Sequence, residues 1–131
     1  MAGRIVLFGA SGYTGALTAE ALVERGVQPV LAGRDRMKLE RLRARLGRDD
    51  LEIAIADASD PSSVASLVAG GDVLVTTVGP FLRYGYAALE AAVAAPCVYI
   101  DSTGEPPFIR EVFERYGPRA ARSGAVLLTA L

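Results

Sequence analysis

Histidine is absent from this 131-residue chain, and cysteine occurs once, as Cys97. Without imidazole, Ser-His-Asp catalysis, the common His-containing zinc sites and His-assisted hydride transfer are excluded, and no metal is expected. A single thiol closes no internal disulfide, which fits a reducing compartment and the expectation of a cytoplasmic protein. Cys97 itself falls in a strand expected to be buried, so core packing accounts for it. No apolar run approaches the length that spans a bilayer, and the stretch around Arg4 does not read as a signal peptide. A net charge of −1 supplies no electrostatic reason to expect nucleic acid or an anionic membrane. Apolar residues, by contrast, make up 51% of the chain, as in a sheet covered on both faces. The length suits one domain with a proper core.

The most informative stretch is Arg-Ile-Val-Leu-Phe-Gly-Ala-Ser-Gly-Tyr-Thr-Gly, residues 4–15. Ile5, Val6, Leu7 and Phe8 are apolar on both faces, which suits a central strand of a parallel sheet. Gly9, Gly12 and Gly15 follow at intervals of three, and a helix begins near Thr14. A strand, a glycine turn and a helix start together can hold a pyrophosphate. Gly9 permits the tight turn, Gly12 removes a Cβ from the path of the phosphates, and Gly15 lets the helix approach the sheet. Ala10, Ser11, Tyr13 and Thr14 complete the expected contact segment. A tight turn that binds nothing needs similar glycines, so context must decide. The spacing is G-x-x-G-x-x-G, familiar in reductases that prefer NADP, and not the G-x-G-x-x-G typical of NAD-binding dehydrogenases.

That context is an alternation of strand and helix to the end of the chain. Helices are expected over 14–25, with Leu17, Ala21 and Leu22 inward, and over 36–46, with Leu39, Leu42 and Leu46 on one face. A short helix opens at Asp60-Pro61, and another covers 86–94. The last begins near Phe108, with Phe108, Val112, Phe113 and Tyr116 sharing a face until Pro118 kinks or splits it. Strands are expected at 5–8, 29–32, 51–56, 73–77, 97–100 and 125–128. Six strands joined by helices predict an α/β, Rossmann-type, doubly wound parallel sheet of order 3-2-1-4-5-6. The ligand crevice then lies at the carboxyl ends of strands one and four.

The loops at that edge carry the unusual residues. At the end of strand two, an NAD site needs a carboxylate for the ribose hydroxyls, whereas an NADP site must attract a 2′-phosphate. Gly33 and Arg34 stand there, and a guanidinium forks well onto phosphate. Asp35 is read as the cap of the following helix, although its distance from the glycines also imitates an NAD carboxylate. Asp57, with the Ala58 backbone, either faces the adenine or caps the next helix. Val78, Gly79 and Pro80 either floor the nicotinamide ribose or merely bend the chain ahead of a helix. Tyr84 reads as packing more readily than as an acid or stacking ring. Asp101 and Glu105 lie toward the substrate side with no partner visible, so no catalytic residue is assigned.

With these residues in hand, the chain resembles the saccharopine dehydrogenase-like group, especially its trans-acting enoyl reductase branch. The matching stretches are Gly-Ala-Ser-Gly-Tyr-Thr-Gly (9–15), Ala-Gly-Arg-Asp (32–35), Val-Gly-Pro-Phe (78–81), Tyr84-Gly85 and Tyr-Ile-Asp-Ser-Thr-Gly-Glu (99–105). The likeness spans essentially the whole chain. It implies an NADP-binding domain with Gly9, Ser11, Gly12, Tyr13, Thr14, Arg34 and Gly79 at the cofactor. It also implies that residues 1–131 are a fragment, followed in such proteins by a substrate domain. The substrate is a small molecule, either an amino acid adduct or an enoyl lipid or polyketide intermediate, and the Asp-Ser-Thr-Gly-Glu loop leans toward the latter. The function expected is therefore the cofactor domain of an NADP(H)-dependent oxidoreductase, inactive alone. The alternative is a non-catalytic NADP-sensing module. An uncovered last strand adds the expectation of a homodimer.

Overall fold

A computed structural model describes residues 3–131. β1 (Ile5–Phe8) is flanked by β2 (Val30–Gly33) and β4 (Val73–Thr76), because its side chains are apolar on both faces and none needs water. β3 (Ile53–Ile55) lies outside β2; β5 (Val98–Asp101) and β6 (Val126–Leu128) extend the other half. All neighbours pair in parallel, in the order β3-β2-β1-β4-β5-β6. This is the expected doubly wound sheet, with its switch point between β1 and β4.

Strand alternation divides the core in two. Leu7 and Leu31 pack under α1 (Tyr13–Glu24) and α2 (Arg36–Leu46), with Ala19, Leu39 and Leu42. Val6, Phe8, Leu74 and Tyr99 face the other way, against the helices that follow β3, β4 and β5. Those helices are α3 (Pro61–Ala65), α4 (Phe81–Tyr84), α5 (Tyr86–Ala94), α6 (Pro106–Glu111) and α7 (Gly117–Ser123). α4 was not expected from the sequence. β2 and β5 each run one residue beyond their expected ends, which brings Gly33 and Asp101 into the last strand positions.

Two inward faces differ from expectation. On α1 the buried residues are Gly15 and Ala19, while Leu17 is 50% exposed. The helix sits so close to the sheet that only small side chains fit beneath it. Leu17, two residues on, points about 200° around the helix. Beyond α6, Phe108, Val112, Tyr116 and Ala120 are buried, but Phe113 is 69% exposed. A stripe at a constant spacing of four drifts by about 40° per step around an α-helix. Here Val112–Tyr116 forms a π-helical turn, with the Gly117 N–H donating to the Val112 carbonyl, and this wider turn absorbs the drift. Pro118, in the first turn of α7, has no N–H for the ordinary ladder, so the helix splits there as expected.

The sheet is not covered evenly. Val73, Val98 and Val126 form one row across β4, β5 and β6, and Val75, Ile100 and Leu128 form the next. Both rows share the face of Leu7, on which α1 and α2 pack over the other half of the sheet. At the edge, Val126 is 48% and Leu128 39% exposed.

Asp72 ties the start of β1 to the start of β4. Its buried carboxylate accepts the Arg4 N–H at 2.9 Å and the Ala69 N–H at 2.8 Å, with the Arg4 guanidinium 3.6 Å away. Burial pushes its pKa up, but these N–H groups and the guanidinium outweigh burial and hold it below the usual carboxylate range. A depressed folded pKa means that the unfolded chain binds the proton more readily. The stability from this group is therefore complete above about pH 4 and is lost as pH falls through the lower folded value. Thermal melts followed by circular dichroism from pH 6 to pH 3 should show a falling Tm, and Asp72→Asn should flatten that acid limb. An unchanged slope in the variant would remove Asp72 from this role.

Candidate functional site

Three strand ends meet at the first glycine turn. Gly9 and Ala10 both donate to the Ala32 carbonyl of β2, at 2.9 and 3.1 Å. The Thr77 hydroxyl reaches the Phe8 and Gly9 carbonyls at 3.4 and 3.3 Å from the end of β4. Gly9 has φ +89°, a conformation that L side chains rarely adopt. A Cβ on Gly15 would lie 1.9 Å from the Gly9 carbonyl oxygen, so the fold itself demands glycine there.

Gly12 differs. Its φ is −76°, open to any residue, and a Cβ would meet nothing nearer than the Gly9 oxygen at 3.4 Å. The folded chain has room for a side chain at this position. What a side chain would fill is the cleft in front of α1. No side chain caps α1, so the N–H groups of its first turn and the helix dipole are available to an anion.

The cleft has a volume of about 310 Å³. That is within the usual range for small-molecule sites. Of the residues anticipated at a cofactor, Gly9, Ser11, Gly12, Gly33, Arg34, Asp57, Ala58, Val78 and Gly79 line it. Phe8, Ala56, Thr77 and Tyr84 join them. The first three sit at or just beyond strand ends, and the position after a strand was the available signal. Five anticipated residues are not in the lining. Ala10 is fully buried in the core, and Gly15 lies on the buried face of α1. Tyr13, 85% exposed, and Thr14 stand on the outer side of the first turn. Pro80 is the exposed residue before α4.

The charged residues sort by their partners. The Asp35 carboxylate accepts the Lys38 N–H at 3.2 Å and caps α2, which leaves Arg34 as the exposed charge at the end of β2. Asp57 does not cap α3; its Oδ1 accepts the Ser59 N–H at 2.9 Å and the Ser59 hydroxyl at 2.7 Å. These two bonds, and more weakly Arg34, hold its pKa below the usual carboxylate range. Asp60 occupies the cap position of α3, with its side chain on the Ser62 hydroxyl. Tyr84 reaches the cleft with the Arg83 guanidinium 5.1 Å from its ring centre. Cys97 is buried, and burial pushes its thiol pKa up, which suits a core residue. A broader surface concavity along α6 is lined by Arg110, Glu111, Glu114 and Arg115, which pair among themselves. Among the described residues no cluster of acidic, histidine or cysteine side chains could hold a metal. No described helix is long and apolar enough to cross a membrane.

The sequence profile of the saccharopine dehydrogenase NADP binding domain matches residues 5–128. The chain belongs to that family. Its curated relatives include trans-acting enoyl reductases of Mycobacterium leprae, 40% identical over 130 residues, and of Mycobacterium ulcerans, 38% identical over 131. These alignments cover 96% and 97% of this chain, but the chain spans only 31% of either relative. Among solved structures, saccharopine dehydrogenase from Saccharomyces cerevisiae superposes with a TM-score of 0.70 at 17% identity, over 98% of this chain and 27% of that one. A Citrobacter triphenylmethane reductase complexed with NADP(H) gives 0.71 at 19% identity, over 96% and 48%. At such identities these two establish the fold alone.

The residues present fit the family's cofactor. The Gly12 cradle is open, the start of α1 is free of a side-chain cap, and a guanidinium stands where an NAD site carries a carboxylate. The three glycines therefore have separable roles. Gly12→Val should leave the circular dichroism spectrum native and abolish NADPH binding by calorimetry. Gly15→Val should lose the fold, since its side chain has only the Gly9 carbonyl to enter. A folded Gly12→Val protein that binds NADPH normally would make the turn purely structural.

Proposed function

We propose that this chain is the cofactor domain of an NADP(H)-dependent oxidoreductase. The Gly12 turn would carry the pyrophosphate, Arg34 the 2′-phosphate, and the Val78-Gly79 wall the nicotinamide ribose. Gly12 carries the reading, because a glycine that the fold does not require lines the cleft at the uncapped start of α1. The use of Asp35 as the cap of α2 supports the choice of NADP over NAD. When bound, the nicotinamide supplies the hydride chemistry. The chain's own task is to fix its two ends and present one face.

The proposal extends to the whole protein. We place a substrate domain beyond this one, supported by mycobacterial relatives about three times as long. The substrate we favour is an enoyl intermediate of lipid or polyketide chemistry over an amino acid adduct, on the strength of the names of those relatives. We also propose a cytoplasmic location, supported by the lone buried thiol, and a homodimer through the exposed edge of β6.

Two measurements test this. NADPH should bind more tightly than NADH, and Arg34→Ala should remove most of the difference, about 1.5–3 kcal/mol for lost charge-assisted hydrogen bonds. Equal affinity for the two cofactors in the unaltered protein would overturn the assignment of Arg34. The 131-residue chain should also bind NADPH without oxidising it in the presence of enoyl thioesters or saccharopine. Substrate-dependent NADPH oxidation by this chain, lost in Gly12→Val, would show that no further domain is needed.

A further inference from the structure

Glu105 stood in the sequence as an unpaired acid on the substrate side of the fold. The structure gives it two partners 23 and 24 residues away: its Oε2 accepts the Phe81 N–H at 2.7 Å and its Oε1 the Leu82 N–H at 3.2 Å. Both donors belong to the first turn of α4, where N–H groups have no partner within the helix. A carboxylate with one oxygen on each is a bidentate, charge-assisted cap. It joins the loop after β5 to the loop after β4, which carries the Val78-Gly79 wall of the cleft.

Glu105 is itself held. The buried Asp101 carboxylate accepts the Thr103 N–H at 3.1 Å, and the Thr103 hydroxyl accepts the Glu105 N–H at 3.1 Å. Asp101 is anchored in turn by the Tyr99 hydroxyl, by the Thr129 hydroxyl at 2.9 Å and by the Ala130 N–H at 2.8 Å. On the other side, the Phe81 ring rests on Phe108, with centres 5.5 Å apart, and a Cβ on Gly79 would touch that same ring at 3.5 Å. The Tyr84 N–H closes onto the Pro80 carbonyl at 2.9 Å. Gly79 thus lies against the Phe81 ring, Tyr84 closes the same short turn, and Glu105 holds that turn by the Phe81 and Leu82 N–H groups.

We propose that Glu105 is a positioning residue: its carboxylate clamps α4 so that Val78, Gly79 and Tyr84 form the wall that takes the nicotinamide end of the dinucleotide. Glu105 then acts neither as an acid nor as a base. The proposal rests on the NADP reading of the cleft. It predicts an asymmetry, because the glycine turn and Arg34 hold the other end of the ligand without help from Glu105.

The test compares NADPH with 2′,5′-ADP, which carries the adenosine and the 2′-phosphate but no nicotinamide. Both are titrated calorimetrically into the unaltered chain and into Glu105→Gln, in which one of the two accepting oxygens becomes an NH₂ group facing an N–H. NADPH affinity should fall about tenfold and 2′,5′-ADP affinity by less than twofold. Amide hydrogen exchange should quicken at Phe81 and Leu82 while protection in β1 and β4 stays as it was. Glu105→Ala should show the same asymmetry; if it does not fold, Glu105→Gln carries the test alone. Equal weakening of both ligands would reduce Glu105 to a general stabiliser and overturn the proposal. Unchanged NADPH affinity would also overturn it and return Glu105 to the candidates for acid–base work. If the unaltered chain binds neither ligand, the failure belongs to the NADP reading and the proposal falls with it.

Discussion

The contact between Gly15 and the Gly9 carbonyl is the constraint from which the rest follows. It lets α1 enter the sheet at the turn itself. That close seat aims the uncapped start of the helix at the end of β1, leaves room beneath it only for Gly15 and Ala19, and turns Leu17 outward. The anion-holding geometry is thus a by-product of helix–sheet packing. The turn is then pinned from both sides, by the Ala32 carbonyl of β2 and the Thr77 hydroxyl just beyond β4. Gly9 and Gly15 are required by the fold, and Gly12 between them is not.

Charge at the cleft follows a similar division. Every carboxylate near its mouth already has N–H or hydroxyl partners: Asp35 on α2, Asp57 on Ser59, and Glu105 on α4. Arg34 is left exposed at the end of β2. The cleft therefore presents an exposed guanidinium and helix-start N–H groups together, an electrostatic pattern that suits an anionic ligand.

What could be read from the residues alone was what local patterns encode. α2 begins and ends where its leucine spacing, Asp35 and Gly47 place it, and the strand order followed from the alternation of strands and helices. Burial was harder, because size is a poor guide where two elements approach closely. Leu17 was expected inside and lies outside, while Gly15 and Ala19 do the packing. Phe113 was misplaced because a spacing of four conceals the π turn that keeps 108, 112, 116 and 120 in line. Ala10 carried the motif's pattern but turned into the core, and Phe8, Ala56 and Thr77 reached the cleft through strand ends. Glu105 illustrates the remaining gap. Its partners lie a whole crossover earlier in the chain, and no spacing rule connects a carboxylate to backbone N–H groups so distant.

The unevenly covered sheet has a mechanical consequence. Ile100 lies in the half-covered apolar rows, and the next residue, Asp101, turns to the other face to anchor the loop that holds Glu105. Whatever shelters those rows from water therefore packs on the same short strand that carries the Asp101 anchor. Val98 and Ile100 on one face and Tyr99 and Asp101 on the other thus put the half-covered rows and the anchor of the Glu105 loop on one four-residue strand.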